Sequence, residues 1–257
     1  MIQFPLTSSN RFILARAFQD VPRVDLGIDC ILEGSMGKVF VDDADHPTVF
    51  RMEQCGFFCC FAGDPSSPAA MRLIKDIPGF CMLMPSAPGW LELAQSVHGD
   101  RLEATTRYSF SAASLDRNRL NHLLETSPYK EGIICMDSDL FQNGFLDPEH
   151  CFELGDFDTN EDFLQRGIGF CILRNRKIIG IAYSFQVCTR GIEVSIFIHP
   201  DWRRTGMATA LSARLLLWCL DRNLEPHWDA ANPESCRLAE KLGYQPAGTY
   251  KAYIFSG

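Results

Sequence analysis

No stretch of this 257-residue chain is long and apolar enough to span a bilayer, which takes about 20 such residues. Met1 to Leu14 has no long apolar core, so no secretory leader and no membrane partner are expected. There is no basic run and no basic-aromatic stripe. With a formal net charge of −8, this argues against a nucleic-acid partner. Paired C-x-x-C motifs are missing as well. Cys55, Cys59 and Cys60 lie close together but lack ligand spacing or nearby histidines, so no metal is expected. The two halves show no clear repeat of one another.

What is present starts with eleven cysteines. An odd count without a leader points to reduced thiols in a cytoplasmic protein. Cys171, Cys188 and Cys219 read as small hydrophobes inside elements. The negative charge favours cationic partners only weakly, so a small amine is compatible but not selected.

The most specific stretch is His199-Pro200-Asp201-Trp202-Arg203-Arg204-Thr205-Gly206-Met207-Ala208. Alternating residues from Ile192 to Ile198 predict a strand into it. A long apolar helix, Met207 to about Arg222, is predicted out of it, with Asn223 as a left-handed stop. The first turn of a helix offers free N–H groups and a partial positive charge, and both attract anions. Gly206 lets the backbone approach a ligand without a Cβ in the way. Such a turn suits a pyrophosphate. His199 reads as a turn residue, and Trp202 as a neighbour of the ligand or of the helix end.

Around this loop the order is regular. Asn160 to Arg166 predicts a helix stopped by Gly167. Ile168–Leu173 and Lys177–Gln186 predict a hairpin turning at Arg174–Arg176. After the long helix come a short strand, Leu224 to Trp228, and a helix capped by Asn232 and Pro233 that stops at Gly243. Tyr244 to Phe255 supplies one or two more strands.

Arg203-x-x-Gly206-x-Ala208 between a strand and a helix resembles the acyl-CoA pyrophosphate loop of the GNAT acetyltransferases. The element order resembles that family's core. Asp162-Phe163-Leu164, Gly167 to Leu173, His199-Pro200-Asp201 and Trp228 to Asn232 are similar to the subgroup that includes the zwittermicin A resistance acetyltransferase. So are Leu32-Glu33-Gly34, Lys38 to Asp43 and Phe61 to Asp64. The resemblance implies a mixed α/β fold, with a mostly antiparallel GNAT sheet flanked by helices. Residues 128–257 would form the acetyl-CoA-binding domain. Residues 1–127 also read as mixed α and β, from a helix at Arg11–Gln19 to a helix at Leu115–Glu125. They contain no phosphate loop and are expected to form a degenerate GNAT-like domain.

The resemblance implies acetyl-CoA as co-substrate and direct transfer of an acetyl group to a small amine in a ternary complex. The pyrophosphate would sit on Arg203, Arg204, Thr205, Gly206, Met207, Ala208 and Thr209. Asn232 would contact the pantetheine arm, and N–H groups around Phe197 and Ile198 would face the thioester oxygen. An ammonium must lose a proton before it attacks. Glu193, on the face shared with Ser195 and Phe197, is the first candidate base. Many family members carry the glutamate one residue further from the loop, at the position of Ile192 here, and a strand bulge would restore the face. Asp229 is the alternative. The family pattern Asn-x-x-Ala-x-x-Leu-Tyr is broken here, because Ala239 stands where the tyrosine acid is expected. Water, Ser235, Tyr250 or Tyr253 remain as substitutes, or the thiolate leaves unprotonated. A non-catalytic acyl-CoA-binding module stays open as another reading, as does a homodimer.

Reduced thiols make a simple prediction. Unfolded without reductant, the protein should titrate all eleven cysteines with Ellman's reagent, and a lower count would reveal disulfides.

Overall fold

The computed structural model describes residues 1–142 and 155–257. Contacts divide the chain into two compact units. Met1–Arg107 and Thr249–Gly257 form the first, and Tyr108–Gly248 forms the second.

The chain begins with β1 (Ile2–Gln3), α1 (Ser8–Ala17), α2 (Gly27–Glu33), β2 (Lys38–Val41), β3 (Val49–Gln54) and β4 (Phe58–Gly63). It continues through α3 (Pro68–Lys75), β5 (Phe80–Leu83), α4 (Trp90–His98) and β6 (Leu102–Ser111). Next come α5 (Arg117–Glu125), β7 (Ile133–Cys135), α6 (Ser138–Gln142), α7 (Asn160–Arg166), β8 (Gly169–Arg174), β9 (Lys177–Val187) and β10 (Gly191–Ile198). The chain closes with α8 (Met207–Leu220), β11 (Glu225–Ala230), α9 (Pro233–Leu242) and β12 (Gln245–Ser256). The helix at α2 and the strand at β3 are not anticipated from the sequence. The stretch after Tyr244 forms one long strand.

In the first unit the strand order is β1-β2-β3-β4-β5-β12-β6. Neighbours from β1 to β4 are antiparallel, and β4 and β5 are parallel. In the second unit the order is β6-β11-β10-β9-β8-β7. There β10 and β11 are parallel and the other pairs antiparallel. The architecture is therefore mixed α/β with mostly antiparallel sheets, as expected.

Local chemistry explains the elements of the second unit. α7 starts where the Thr159 hydroxyl accepts the Asp162 N–H at 3.1 Å. α9 starts where the Asn232 oxygen accepts the Ser235 N–H at 2.9 Å, with Pro233 at its first position. It stops at Gly243, whose φ of 113° is open to glycine. α8 is apolar almost all round and has core on both sides. Ala213, Leu216 and Leu217 pack with Leu120, Trp228 and Tyr244. Leu211 and Leu215 pack with Phe170 and Ile192. Each fully buried leucine contributes roughly 1.5–3 kcal/mol. Packing on two sides fixes the position of this helix and therefore of its amino end.

Gly191 allows β10 to approach β11. A Cβ added there would collide with the carbonyl of Glu225, a backbone group that has no rotamer to escape into. Gly191→Ala is expected to destabilise the protein by about 1–3 kcal/mol, measured by urea unfolding.

Candidate active site

β10 and β11 pair over three residues only: Gly191 with Glu225, Ile192 with Pro226, and Glu193 with His227. Beyond that point β10 stays paired with β9 as far as Ile198, while β11 pairs with β6 through Trp228, Asp229 and Ala230. The two strands therefore part after Glu193 and His227. From Val194 onward, the edge of β10 towards β11 has no paired strand among the described residues. β10 then runs on to Ile198, and the turn that follows leads to the amino end of α8.

Alternation along β10 sorts the side chains. Ile192, Val194, Ile196 and Ile198 pack on the cluster beneath α8. Phe197 packs on the opposite cluster, around Phe163 and Ile181. Glu193 and Ser195 share the face of Phe197. Register then brings His227 beside Glu193, with His227 Nδ1 and Glu193 Oε2 2.8 Å apart. Both side chains are nearly buried, at 10% and 12% exposure, so this contact is weakly screened by water. Asp229 lies two residues further along β11 on the same face. A bulge does occur at Glu193/Val194, but the additional residue is Phe185 of β9. The alternation of β10 is therefore unshifted.

The loop before α8 is built for an anion. Arg204 adopts a left-handed φ of 63°, and Gly206 follows at 91°. Gly206 caps the helix without a side chain, and an added Cβ there would meet nothing within 4 Å. The first helical bond runs from Ala210 N–H to Gly206 at 3.2 Å. The N–H groups of Met207, Ala208 and Thr209 precede it and have no acceptor within the helix. The Thr205 hydroxyl donates to the Trp202 carbonyl at 2.7 Å, which shapes the turn. Arg203 Nε donates to the Ile198 carbonyl at 3.2 Å and leaves its other nitrogens exposed. Arg203 to Gly206 are exposed, Ala208 is half-buried, and Met207 and Thr209 are buried beneath the loop. An open space, free N–H groups, a helix dipole and two arginines fit a pyrophosphate.

Other expected residues have structural partners. The oxygen of Asn232 is held by its cap. His199 Nδ1 accepts the Asp201 N–H at 3.3 Å and so belongs to the turn. Trp202 lies beneath the Arg174 guanidinium, 4.7 Å from ring centroid to carbon. Ser235 Oγ accepts from Trp228 Nε1 at 3.1 Å. Ala239 is fully buried in the core with Trp228 and Tyr244. Tyr244 donates its hydroxyl to the Pro226 carbonyl at 2.7 Å, and burial pushes its phenol well above the ordinary value. Tyr250 and Tyr253 belong to the first unit and line a cavity there. His227 is the site residue that sequence reasoning missed, because only strand register places it beside Glu193. Among the described residues no group of three or more His, Cys, Asp or Glu side chains is arranged to hold a metal.

Comparison with known proteins gives the family. The GNAT acetyltransferase family profile matches residues 18–253, and the chain belongs to that family. It is 28% identical over 233 residues to an uncharacterized N-acetyltransferase, YdfB, of Bacillus subtilis, covering 86% of each chain. A GCN5-related N-acetyltransferase-like protein from Streptococcus suis superposes with a TM-score of 0.81 at 30% identity. That alignment covers 96% of this chain and 99% of the other. A tandem GNAT protein from the clavulanic acid biosynthesis pathway shares the fold, with a TM-score of 0.55 at 11% identity over 100% of this chain and 98% of its own.

The loop makes a direct prediction. Acetyl-CoA at about 100 times its dissociation constant should stabilise the protein by roughly 2.7 kcal/mol in thermal unfolding. Gly206→Trp should abolish that shift, because the indole fills the open space. Gly206→Ala introduces the same backbone strain without the bulk and should retain part of it.

Proposed function

We propose that the protein is an acetyl-CoA-dependent N-acetyltransferase that transfers an acetyl group directly to a small amine in a ternary complex. Family membership supports acyl transfer. The observation that carries the finer reading is the Glu193–His227 contact at the point where β10 and β11 part.

In this reading the amine enters on the face of Glu193 and gives up its proton to that carboxylate. His227 stands against that carboxylate and positions it. Acetyl-CoA supplies the acyl group: the amine nitrogen bonds to the thioester carbon, and the carbon–sulfur bond breaks. Arg203, Arg204 and the N–H groups of Gly206 to Thr209 hold the pyrophosphate. Phe197 stands opposite Ile181 and its backbone faces β9, so the N–H of Ile198, on the edge of β10 away from β9, would serve the thioester oxygen, and Asn232 would face the pantetheine arm. Tyr244 is occupied and Ala239 carries no acid, so the thiolate departs as such or takes a proton from water or Ser235. A small amine is compatible with the formal net charge of −8, and the eleven cysteines support a cytoplasmic setting.

Ala239 favours one other reading, a non-catalytic acyl-CoA-binding module. A screen of small amines, with release of free CoA thiol as the readout, separates the two. Glu193→Gln is expected to lower kcat about 10²–10⁴-fold with acetyl-CoA affinity unchanged. His227→Gln is expected to lower kcat less. Full turnover in Glu193→Gln would remove this residue as base, and acetyl-CoA binding without turnover of any amine would favour the binding module.

A further inference from the structure

The first unit repeats the order of the second: three antiparallel strands, a helix, a parallel strand and a helix. Its parallel pair is also short, Phe58 with Met82 and Cys59 with Leu83. The turn before α3 nevertheless differs from the turn before α8. Asp64 occupies it, with Oδ1 accepting the Ser66 N–H at 2.9 Å and the Ser66 hydroxyl at 2.7 Å. Ser67 caps α3, and Pro68 brings no N–H to its first turn. An acidic, self-capped turn repels a pyrophosphate.

The strand edge beyond the parallel pair is closed too. Ser86 Oγ accepts the Phe61 N–H at 3.0 Å, and Ala87 N–H donates to the Phe61 carbonyl at 2.9 Å. Trp90 Nε1 donates to the Gly63 carbonyl at 3.0 Å, and its ring stacks on Phe61 at 5.0 Å. The groups that would bind a CoA arm are consumed.

A cavity of about 400 Å³ nevertheless remains in this unit, between the segment after β5, the first turn of α4 and β12. That volume lies within the range that holds small ligands. Met84, Trp90, Tyr250 and Tyr253 supply apolar and aromatic wall. Among the described residues Glu92 and Lys251 are the only charged side chains in the lining, and they have opposite signs. Lys251 Nζ donates to Thr106 Oγ1 at 2.6 Å, which anchors the ammonium and leaves it two further donors.

We propose that this cavity is a second ligand site, separate from the CoA loop, and that it takes a small aromatic zwitterion of the amino-acid type. The ring lies against Tyr250, Tyr253 and Trp90. The ammonium faces Glu92, and the carboxylate faces Lys251. Aromatic faces also attract the cationic end. This site does not depend on acetyl transfer at Glu193.

The test is calorimetry on the full chain with three probes. L-Tryptophan carries both charges, tryptamine only the ammonium, and indole-3-propionate only the carboxylate. L-Tryptophan is expected to bind more tightly than either half-ligand. Glu92→Gln should weaken L-tryptophan and tryptamine about fivefold and leave indole-3-propionate unchanged. Lys251→Met should weaken L-tryptophan and indole-3-propionate and leave tryptamine unchanged. Both side chains are exposed, so neither change threatens folding. The proposal is overturned if L-tryptophan fails to bind at millimolar concentration, if both variants bind it like the wild type, or if a half-ligand binds more tightly.

Discussion

The second unit depends on a parallel contact that lasts three residues. β10 and β11 meet at Gly191, Ile192 and Glu193, and then each turns to a different neighbour. A longer pairing would cover the edge of β10 away from β9, and no pairing would separate Glu193 from His227. Gly191 permits the contact because its missing side chain lets the Glu225 carbonyl approach. The same separation leaves the edge of β10 open below the amino end of α8. Glu193, the edge of β10 away from β9 and the loop before α8 are thus positioned by one local departure from sheet regularity.

The two units show what an anion site needs beyond a strand and a helix. Both have the strand–turn–helix arrangement. One turn carries arginines and Gly206, and its helix starts without a side-chain cap. The other carries Asp64, Ser67 and Pro68, which satisfy or remove the groups an anion would use. Helix dipoles are common to both, so the difference lies in which N–H groups remain free. The fold is shared, while the chemistry belongs to a few residues in the turns.

Much of this was legible in the sequence where the signal is local. The α7 span is read as Asn160–Arg166, and α9 is bracketed by Asn232, Pro233 and Gly243, because caps and stops act within one turn. The apolar run of α8 announces a buried helix. β3 and α2 were not legible, since their apolar residues follow no clean period and their burial comes from distant partners. A bulge in β10 would have shifted the side chains around Glu193, but the extra residue belongs to β9, and Glu193 keeps the face that plain alternation assigns it. Ala239 reads as a missing acid, and the structure adds that its place is core.

By itself the sequence determined the order of elements from α7 to α9, the turn from Arg203 to Gly206 that joins β10 to α8, and the face of β10 on which Glu193 lies. Those features rest on interactions among near neighbours along the chain. Only the tertiary structure decided that His227 meets Glu193, that Tyr244 is occupied by the Pro226 carbonyl, and that Thr249–Gly257 completes the first unit. Such contacts join residues far apart in the chain. Strand register and competition for backbone partners decide them, and residue types alone carry neither.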